Sequence, residues 1–192
     1  MKTPRFRTER VLSYAKTALR GVLQEGDTAV DATMGTGQDT EFLAETVGSS
    51  GTVFAFDVQP AAVDTTRERL GVLTDRTRLI LDSHANMAQY VTAGVSAVMF
   101  NLGFLPNGED RSIITAAEST VPAIRTALRL LKPGGMVSVA VYDGHPGGAA
   151  ERDAVLELVQ ALDSKEFQVI RYETVNTRQR PPFLLLIEKS AR

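Results

Sequence analysis

A glycine-rich turn and two acids carry the first chemical signal in the chain. Val30-Asp31-Ala32-Thr33-Met34-Gly35-Thr36-Gly37 lies where a short apolar run, 28–31, gives way to a helical pattern starting near Gln38. Glycines at such a junction let a ligand approach the backbone closely. The helix that follows presents oriented N–H groups to it. Asp57 ends the next apolar run, 20 residues after Gly37. A carboxylate there can accept both hydrogen bonds of a ribose diol. A dinucleotide-binding turn would read G-x-G-x-x-G. Here Gly35-Thr36-Gly37-Gln38-Asp39-Thr40 lacks the third glycine, and Asp39 would bring a negative charge near a pyrophosphate. The plain alternative is an ordinary tight strand-to-helix turn.

Two further loops follow runs that read as strands. Asn101-Leu102-Gly103-Phe104-Leu105-Pro106 comes after 95–100, and Tyr142-Asp143-Gly144-His145-Pro146-Gly147-Gly148 after 136–142. In an open parallel sheet both stand on the edge made by the C-terminal strand ends, where ligands bind. The Asn101 side-chain oxygen and a nearby carbonyl can accept the hydrogens of an amine, which fixes the direction of its lone pair. Phe104 can cover charge developing on that nitrogen. His145 can take the proton released by an ammonium substrate, with Asp143 to orient it. The plain alternatives are that Asn101 ends a strand, Phe104 packs in the core and the 142–148 loop caps a helix. Glu151 reads as an exposed helix acid and His84 as a structural or exposed loop residue.

The elements that must position these residues follow from hydrophobic periodicity. Helical spacing covers 8–24, from about 38 to 47, 60 to about 73, 116–131 and 148–162. Runs at 28–31, 52–57, 78–82, 95–100 and 136–142 read as strands, and the near-continuous apolar character of 52–57 suits burial on both faces. Lys132-Pro133-Gly134-Gly135 reads as a helix-ending turn. Strands alternating with helices imply right-handed crossovers and a parallel, doubly wound sheet. The last two strands, 167–174 and 183–188, are eight residues apart with no helix between them. A link that short requires an antiparallel pair. The expected fold is therefore a Rossmann-like α/β, mostly parallel seven-stranded sheet with one antiparallel strand near the C-terminus. A single domain over 1–192 is expected, with 1–25 as a helical segment packed on it.

Composition limits what such a fold can do here. The 192 residues hold 21 Lys and Arg against 23 Asp and Glu, with no Cys and no Trp. A chain this long can bury about 70% of its unfolded surface. Lack of Cys excludes disulfides, thiolate metal sites and a cysteine nucleophile; no metal site is expected. No signal-peptide pattern or apolar stretch of membrane-spanning length is present, so a cytoplasmic protein without membrane partners is expected. The charge is segregated: residues 1–10 and 165–192 each carry +3, leaving −8 for 11–164 against a whole-chain −2. Arg5, Arg7, Arg10, Arg178 and Arg180 are candidates for phosphate contacts, with Phe6 and Phe183 the nearest aromatic platforms. Ordinary solvated charge is the alternative.

The pattern Asp-x-Thr-x-Gly-x-Gly at 31–37 resembles the first motif of class I S-adenosyl-L-methionine (SAM) methyltransferases, whose ligand carries no phosphate. The terminal antiparallel pair is a feature of that family too. The loop at Asn101 stands where amino-group methyltransferases carry Asn/Asp-Pro-Pro-Tyr/Phe. Taken over essentially the whole chain, Asp31–Thr40, Phe100–Pro106, Tyr142–Gly148 and the late Asn176 with Pro181-Pro182-Phe183 are similar to a small bacterial group. Long labelled rRNA methylases, its members resemble tRNA 5-(aminomethyl)-2-thiouridine methyltransferases. Nothing in the residues themselves points to ribosomal RNA. Met34, Phe104 in place of Tyr, and Pro106-Asn107-Gly108 depart modestly from the group.

The resemblance implies SAM-dependent methylation of the aminomethyl nitrogen at C5 of the wobble uridine in tRNA. Asp31 would meet the ligand ammonium, directly or through water, and Asp82 would lie near the adenine. With these, Thr33, Gly35, Gly37, Gln38, Asp39, Asp57, Val58, Ser83, His84 and Asn101 make the expected cofactor set. Asn101, Phe104 and His145 are the expected catalytic residues. Leu102, Gly103, Asp143, Arg178 and Arg180 are the expected substrate contacts. The alternatives are methylation of another RNA, such as rRNA, or of a small amine or hydroxyl metabolite, and a SAM-binding module without catalysis. The small size also motivates a homodimer that would widen the tRNA surface.

Overall fold

The computed structural model describes residues 8–103, 114–177 and 181–192. Phe6, Arg5, Arg7, Phe104, Leu105, Pro106, Arg178 and Arg180 lie outside the described residues. In chain order the elements are α1 (Val11–Arg20), β1 (Thr28–Asp31), α2 (Gln38–Thr46), β2 (Thr52–Asp57), α3 (Pro60–Leu70) and β3 (Thr77–Leu81). They continue with β4 (Val95–Leu102), α4 (Ala117–Leu130), β5 (Leu131–Val141), α5 (Gly148–Gln160), β6 (Phe167–Tyr172) and β7 (Phe183–Lys189). Short 3-10 segments, Gly71–Arg76 and His84–Gln89, flank β3.

The strand order is β3-β2-β1-β4-β5-β7-β6. The first five strands are mutually parallel, and β7 runs antiparallel to both β5 and β6. This is the expected sheet, with β7 as its antiparallel strand. Because β1 is flanked by β2 and β4, the strand order reverses there, and a crevice opens beyond the C-terminal strand ends. Asp31 stands at that point, in register with Ala55 of β2 and Met99 of β4.

Strand alternation divides the apolar residues between two faces. Val30, Phe56, Val98, Phe100, Val139 and Leu185 pack against Ile124, Ala127 and Leu128 of α4 and Val155, Leu158 and Val159 of α5. On the other face, Ala29, Val53, Ala97, Met99, Leu184 and Leu186 meet Val11, Ala15 and Leu19 of α1 and Phe42, Leu43 and Ala44 of α2. Buried residues spaced by four in α1 thus lay that helix on the sheet, and its polar flank faces the turn after β1.

Several boundaries move for physical reasons. Residues 132–135 do not leave the sheet. Val95 pairs with Leu131 and Ala97 with Met136, so the Lys-Pro-Gly-Gly segment is a bulge inside β5. Gly134 takes φ +76 there. β4 runs past Phe100 because Asn101 and Leu102 keep pairing with Ala140 and Val141. α3 stops at Leu70, followed by Gly71 at φ +51, and the chain tightens into a 3-10 segment.

Gly37 caps α2 at φ +79, a conformation that favours glycine. A Cβ there would come within 2.9 Å of Thr66 Oγ1 and 3.0 Å of its Cα. The glycine thus lets the start of α2 pack on α3. Gly37→Ala should therefore lower stability by about 2–3 kcal/mol. Urea unfolding would show this as a lower midpoint at unchanged slope. An unchanged midpoint would refute the close approach.

Candidate active site

The turn after β1 is built on one buried carboxylate. Asp31 is fully buried, and its oxygens accept from Thr33 N–H at 3.1 Å and Thr40 Oγ1 at 2.7 Å. Both ends of the turn are therefore drawn to one side chain. Asp57, at the end of β2, accepts from Gly35 N–H and Gln59 N–H, each at 3.0 Å. The middle of the turn is thereby tied to the neighbouring strand.

A cavity of about 430 Å³ opens above this turn, within the size range of small-molecule sites. Thr33, Gly35, Gln38, Asp39, Asp57, Val58, Asp82, Ser83, His84, Asn101, Leu102 and Gly103 all line it. So do Tyr142, the first residue of the loop after β5, and Leu12, Phe56, Ile114, Thr115 and Ser119, which the motifs did not mark. The described lining includes three aspartates and no Lys or Arg. Such a lining disfavours a phosphate-bearing ligand and favours a cationic one.

Two members of the first motif do other work. Asp31 does not line the cavity; it lies beneath the turn with its oxygens engaged by Thr33 and Thr40, and so shapes the turn. Gly37 likewise faces Thr66, not the cavity.

Asn101 sits where the turn meets β4. Its backbone N–H donates to Thr33 Oγ1 at 2.8 Å. Its Nδ2 donates to Asp39 Oδ2 at 2.7 Å. A carboxylate oxygen can only accept here, which fixes the amide orientation and leaves Oδ1 as its acceptor face. Asp39 is itself held by Lys16 of α1, Nζ to Oδ1 at 2.7 Å.

The wall after β3 carries an oriented histidine. His84 is buried, and its Nδ1 donates to the Ala32 carbonyl at 3.0 Å. In the neutral ring Nε2 is then an acceptor, and it has no hydrogen-bond partner among the described residues. The ring is thus buried rather than exposed, and an occupant with a donor would complete it. Asp82 accepts from Asn86 Nδ2, Tyr90 O–H and Ser83 N–H, at 2.8, 2.8 and 2.7 Å.

Electrostatics follow burial. Desolvation, with the nearby charge of Asp39, raises Asp31 to about 7 against the pull of its two hydrogen bonds. Desolvation also raises Asp57, although its backbone donors and His84 oppose it. Burial lowers His84 despite the Ala32 carbonyl and Asp57. Three hydrogen bonds hold Asp82 below the usual carboxylate value. Burial and the charge of Asp39 raise Tyr142.

Tyr142 brings the loop after β5 to the cavity wall, and the described residues beyond it do not line the cavity. His145 Nδ1 donates to the Pro146 carbonyl at 3.1 Å. A Cβ on Gly103 would come within 3.9 Å of His145 Nε2, which puts the ring beside the cavity wall. Asp143 forms an ion pair with Arg152 of α5.

Glu151 is not an exposed acid. It is 2% exposed and accepts from Thr115 Oγ1 at 2.9 Å and Thr120 Oγ1 at 2.6 Å. Thr115 Oγ1 in turn accepts from Gly103 N–H at 2.8 Å, and Thr115 N–H donates to the Gly103 carbonyl at 2.9 Å. Glu151 therefore ties the chain leaving β4 to α5. The signal was present: Glu151, Val155, Leu158 and Val159 share one helix face.

Comparisons with known proteins agree with this architecture. Residues 53–188 match a family model described as "Putative rRNA methylase". The chain is 33% identical to the chloroplastic tRNA (mnm5s2U34)-methyltransferase of Arabidopsis thaliana, over 96% of this chain and 71% of that protein. Among solved structures, a "putative rRNA-methylase" from Clostridium thermocellum superposes with TM-score 0.93 at 43% identity, over 96% of this chain and all of that one. A "putative methyltransferase" from Streptococcus mutans, in complex with SAH, superposes with TM-score 0.86 at 40% identity, over 95% and 99% of the two chains.

Because Asp31 rises from 3.8 to about 7 on folding, the native state keeps a proton there that the unfolded chain releases. Its contribution to stability is complete below about pH 4 and is lost as pH rises through about 7. Asparagine can keep both hydrogen bonds if Thr40 reverses its hydroxyl. In urea unfolding, the stability of Asp31→Asn relative to the native chain should therefore grow between pH 4 and 7. A constant difference would contradict the shift.

Proposed function

The chain belongs to the family described as "Putative rRNA methylase", and from that premise we propose that it methylates the aminomethyl nitrogen at C5 of the wobble uridine, or thiouridine, in tRNA. It is a SAM-dependent methyltransferase, like the relatives of this family, one of which is seen with SAH. The finer reading draws on the wobble-uridine enzyme that shares 33% identity with it. The observation that carries it is the Asn101 amide, turned by Asp39 to keep its oxygen as an acceptor at the wall of a cavity with no Lys or Arg among its described lining residues.

The residues present fit SAM. Three lining carboxylates suit a ligand with a sulfonium and an ammonium. The lone acceptor His84 Nε2 suits a donor on the ligand. Asp57 would hold the ribose, Asp82, Ser83 and His84 the base, and Thr33, Gly35, Gln38, Asp39 and Val58 the remainder. SAM supplies an electrophilic methyl group.

The chain's part is positioning. Asn101 Oδ1 accepts a hydrogen of the incoming amine, and the Leu102–Gly103 backbone flanks it. The fixed amide aims the lone pair, and such orientation is a large share of the rate. His145, beside Gly103, stands near enough to the cavity to receive the proton that the methylated amine sheds.

A polyanionic substrate is supported by the contact between residues 9–14 and the end of β6. Tyr172 O–H, at the end of β6, donates to the Glu9 carbonyl at 2.7 Å, and Tyr14 stacks on Tyr172 at 4.3 Å. β6 runs in the same direction as β4 and β5, so this junction stands on the cavity's edge of the sheet. Arg10 and Arg171 lie next to it in the chain.

Labelled methyl from SAM, offered with total tRNA and followed by nucleoside mass analysis, should appear in the wobble aminomethyluridine. Label only in rRNA or small molecules, or SAM binding without transfer, would contradict the reading. Asn101→Ala should cut transfer by about 100-fold or more while SAH affinity stays within about threefold. Asp57→Ala should weaken SAH binding about tenfold or more by calorimetry. Full activity in the first variant would remove the amide from the mechanism, and unchanged affinity in the second would remove the ribose contact.

A further inference from the structure

α1 delivers a cation to the acidic side of the site. Lys16 Nζ stands 2.7 Å from Asp39 Oδ1 and donates to the Gln38 carbonyl at 3.1 Å. Its side chain is only 25% exposed, and its head lies 5.2 Å from the centre of the Phe42 ring. The other oxygen of Asp39 accepts from Asn101 Nδ2 at 2.7 Å. The amide is thus backed by a carboxylate, and the carboxylate by an ammonium. We propose that Lys16 sets the protonation state in which the substrate reacts: by offsetting the charge of Asp39 it keeps the amine bound at Asn101 in its neutral form. The inference rests on the amine-methylating reading above.

The chemistry demands that form. In the transfer the nitrogen lone pair makes the new N–C bond while the S–C pair stays on sulfur. An ammonium has no such pair. A carboxylate one side chain away favours the ammonium and raises the amine's pKa; a cation on that carboxylate opposes the effect.

The other charged and titratable groups do not supply this cation. Asp31 of β1 and Asp57 of β2 supply no cation, and burial raises both toward their neutral forms. Tyr142, beyond β5, feels Asp39 and is raised further. His84 on the opposite wall is lowered by burial, so it favours the neutral ring. His145 stands beside Gly103, and Glu151 of α5 reaches the site only through Thr115. Arg20 of α1 lies over the Phe42 ring. Among the described residues, Lys16 is the cation in contact with Asp39. It is a positioning residue, since it acts on the amine through Asp39 and Asn101.

The test is the pH dependence of single-turnover methyl transfer to tRNA carrying wobble aminomethyluridine, at saturating enzyme and SAM. The rate rises with pH as the bound amine loses its proton. Lys16→Met should move that rise upward by about half to one pH unit. Asp39→Asn should move it downward, and the double variant should return it close to the native position. Lys16→Arg should leave it in place. The kcat/KM profile, which reports the amine of free tRNA, should stay fixed in all of them.

A loss of packing alone would lower rates without moving these profiles in opposite directions. Should Lys16→Met fail to fold, Lys16→Gln, which keeps a polar head without the charge, should show the same upward shift. Unmoved single-turnover profiles, with native transfer intact, would overturn this inference alone. Failure of the native chain to methylate that amine would overturn the amine reading and the inference together.

Discussion

Everything at the ligand edge depends on burying one carboxylate, that of Asp31, at the centre of the parallel sheet. Its two hydrogen bonds, to Thr33 N–H and Thr40 Oγ1, fold the turn back on the first residues of α2. That fold puts Thr33 Oγ1 under the Asn101 N–H and Asp39 against the Asn101 amide. A charge in this place is expensive, and the rise of Asp31 to about 7 records the expense. The gain is a hydrogen-bonded link between the turn after β1 and the end of β4.

The same acids set the chemistry that the cavity tolerates. With Asp39, Asp57 and Asp82 in the lining and no Lys or Arg among its described residues, a diphosphate would meet repulsion at the turn. A sulfonium, an ammonium and an amine would not. The drawback is that negative charge also favours the protonated amine, which cannot react. α1 answers this from outside the motifs, because packing Val11, Ala15 and Leu19 on the sheet swings Lys16 onto Asp39. Control of charge therefore comes from the helix that precedes the sheet, and control of geometry from the sheet itself.

The parts legible in the sequence were those fixed by local pattern. β1 and β2 are continuous apolar runs ending in Asp, and the structure starts and stops them at the expected residues. The antiparallel end followed from an eight-residue link too short for a crossover. What stayed hidden depends on partners distant in the chain. Nothing near Gly37 announces Thr66, so the packing role of that glycine stayed hidden. The 132–135 segment looks like a turn, and only renewed pairing with β4 makes it a bulge. Glu151 had the right spacing for burial, but its charge argued against it until Thr115 and Thr120 supplied the donors. Lys16 is one lysine on an amphipathic helix until tertiary contact gives it Asp39.

The central claim is that Asp39 turns the Asn101 amide so that its oxygen receives the acceptor amine. A crystal structure of the chain with SAH and an anticodon stem-loop bearing 5-aminomethyluridine would test it directly. The account predicts the amine nitrogen within about 3 Å of Asn101 Oδ1, a hydrogen-bond distance, with Nδ2 still on Asp39. An amide flipped to present Nδ2, or an amine bound away from Asn101, would contradict it.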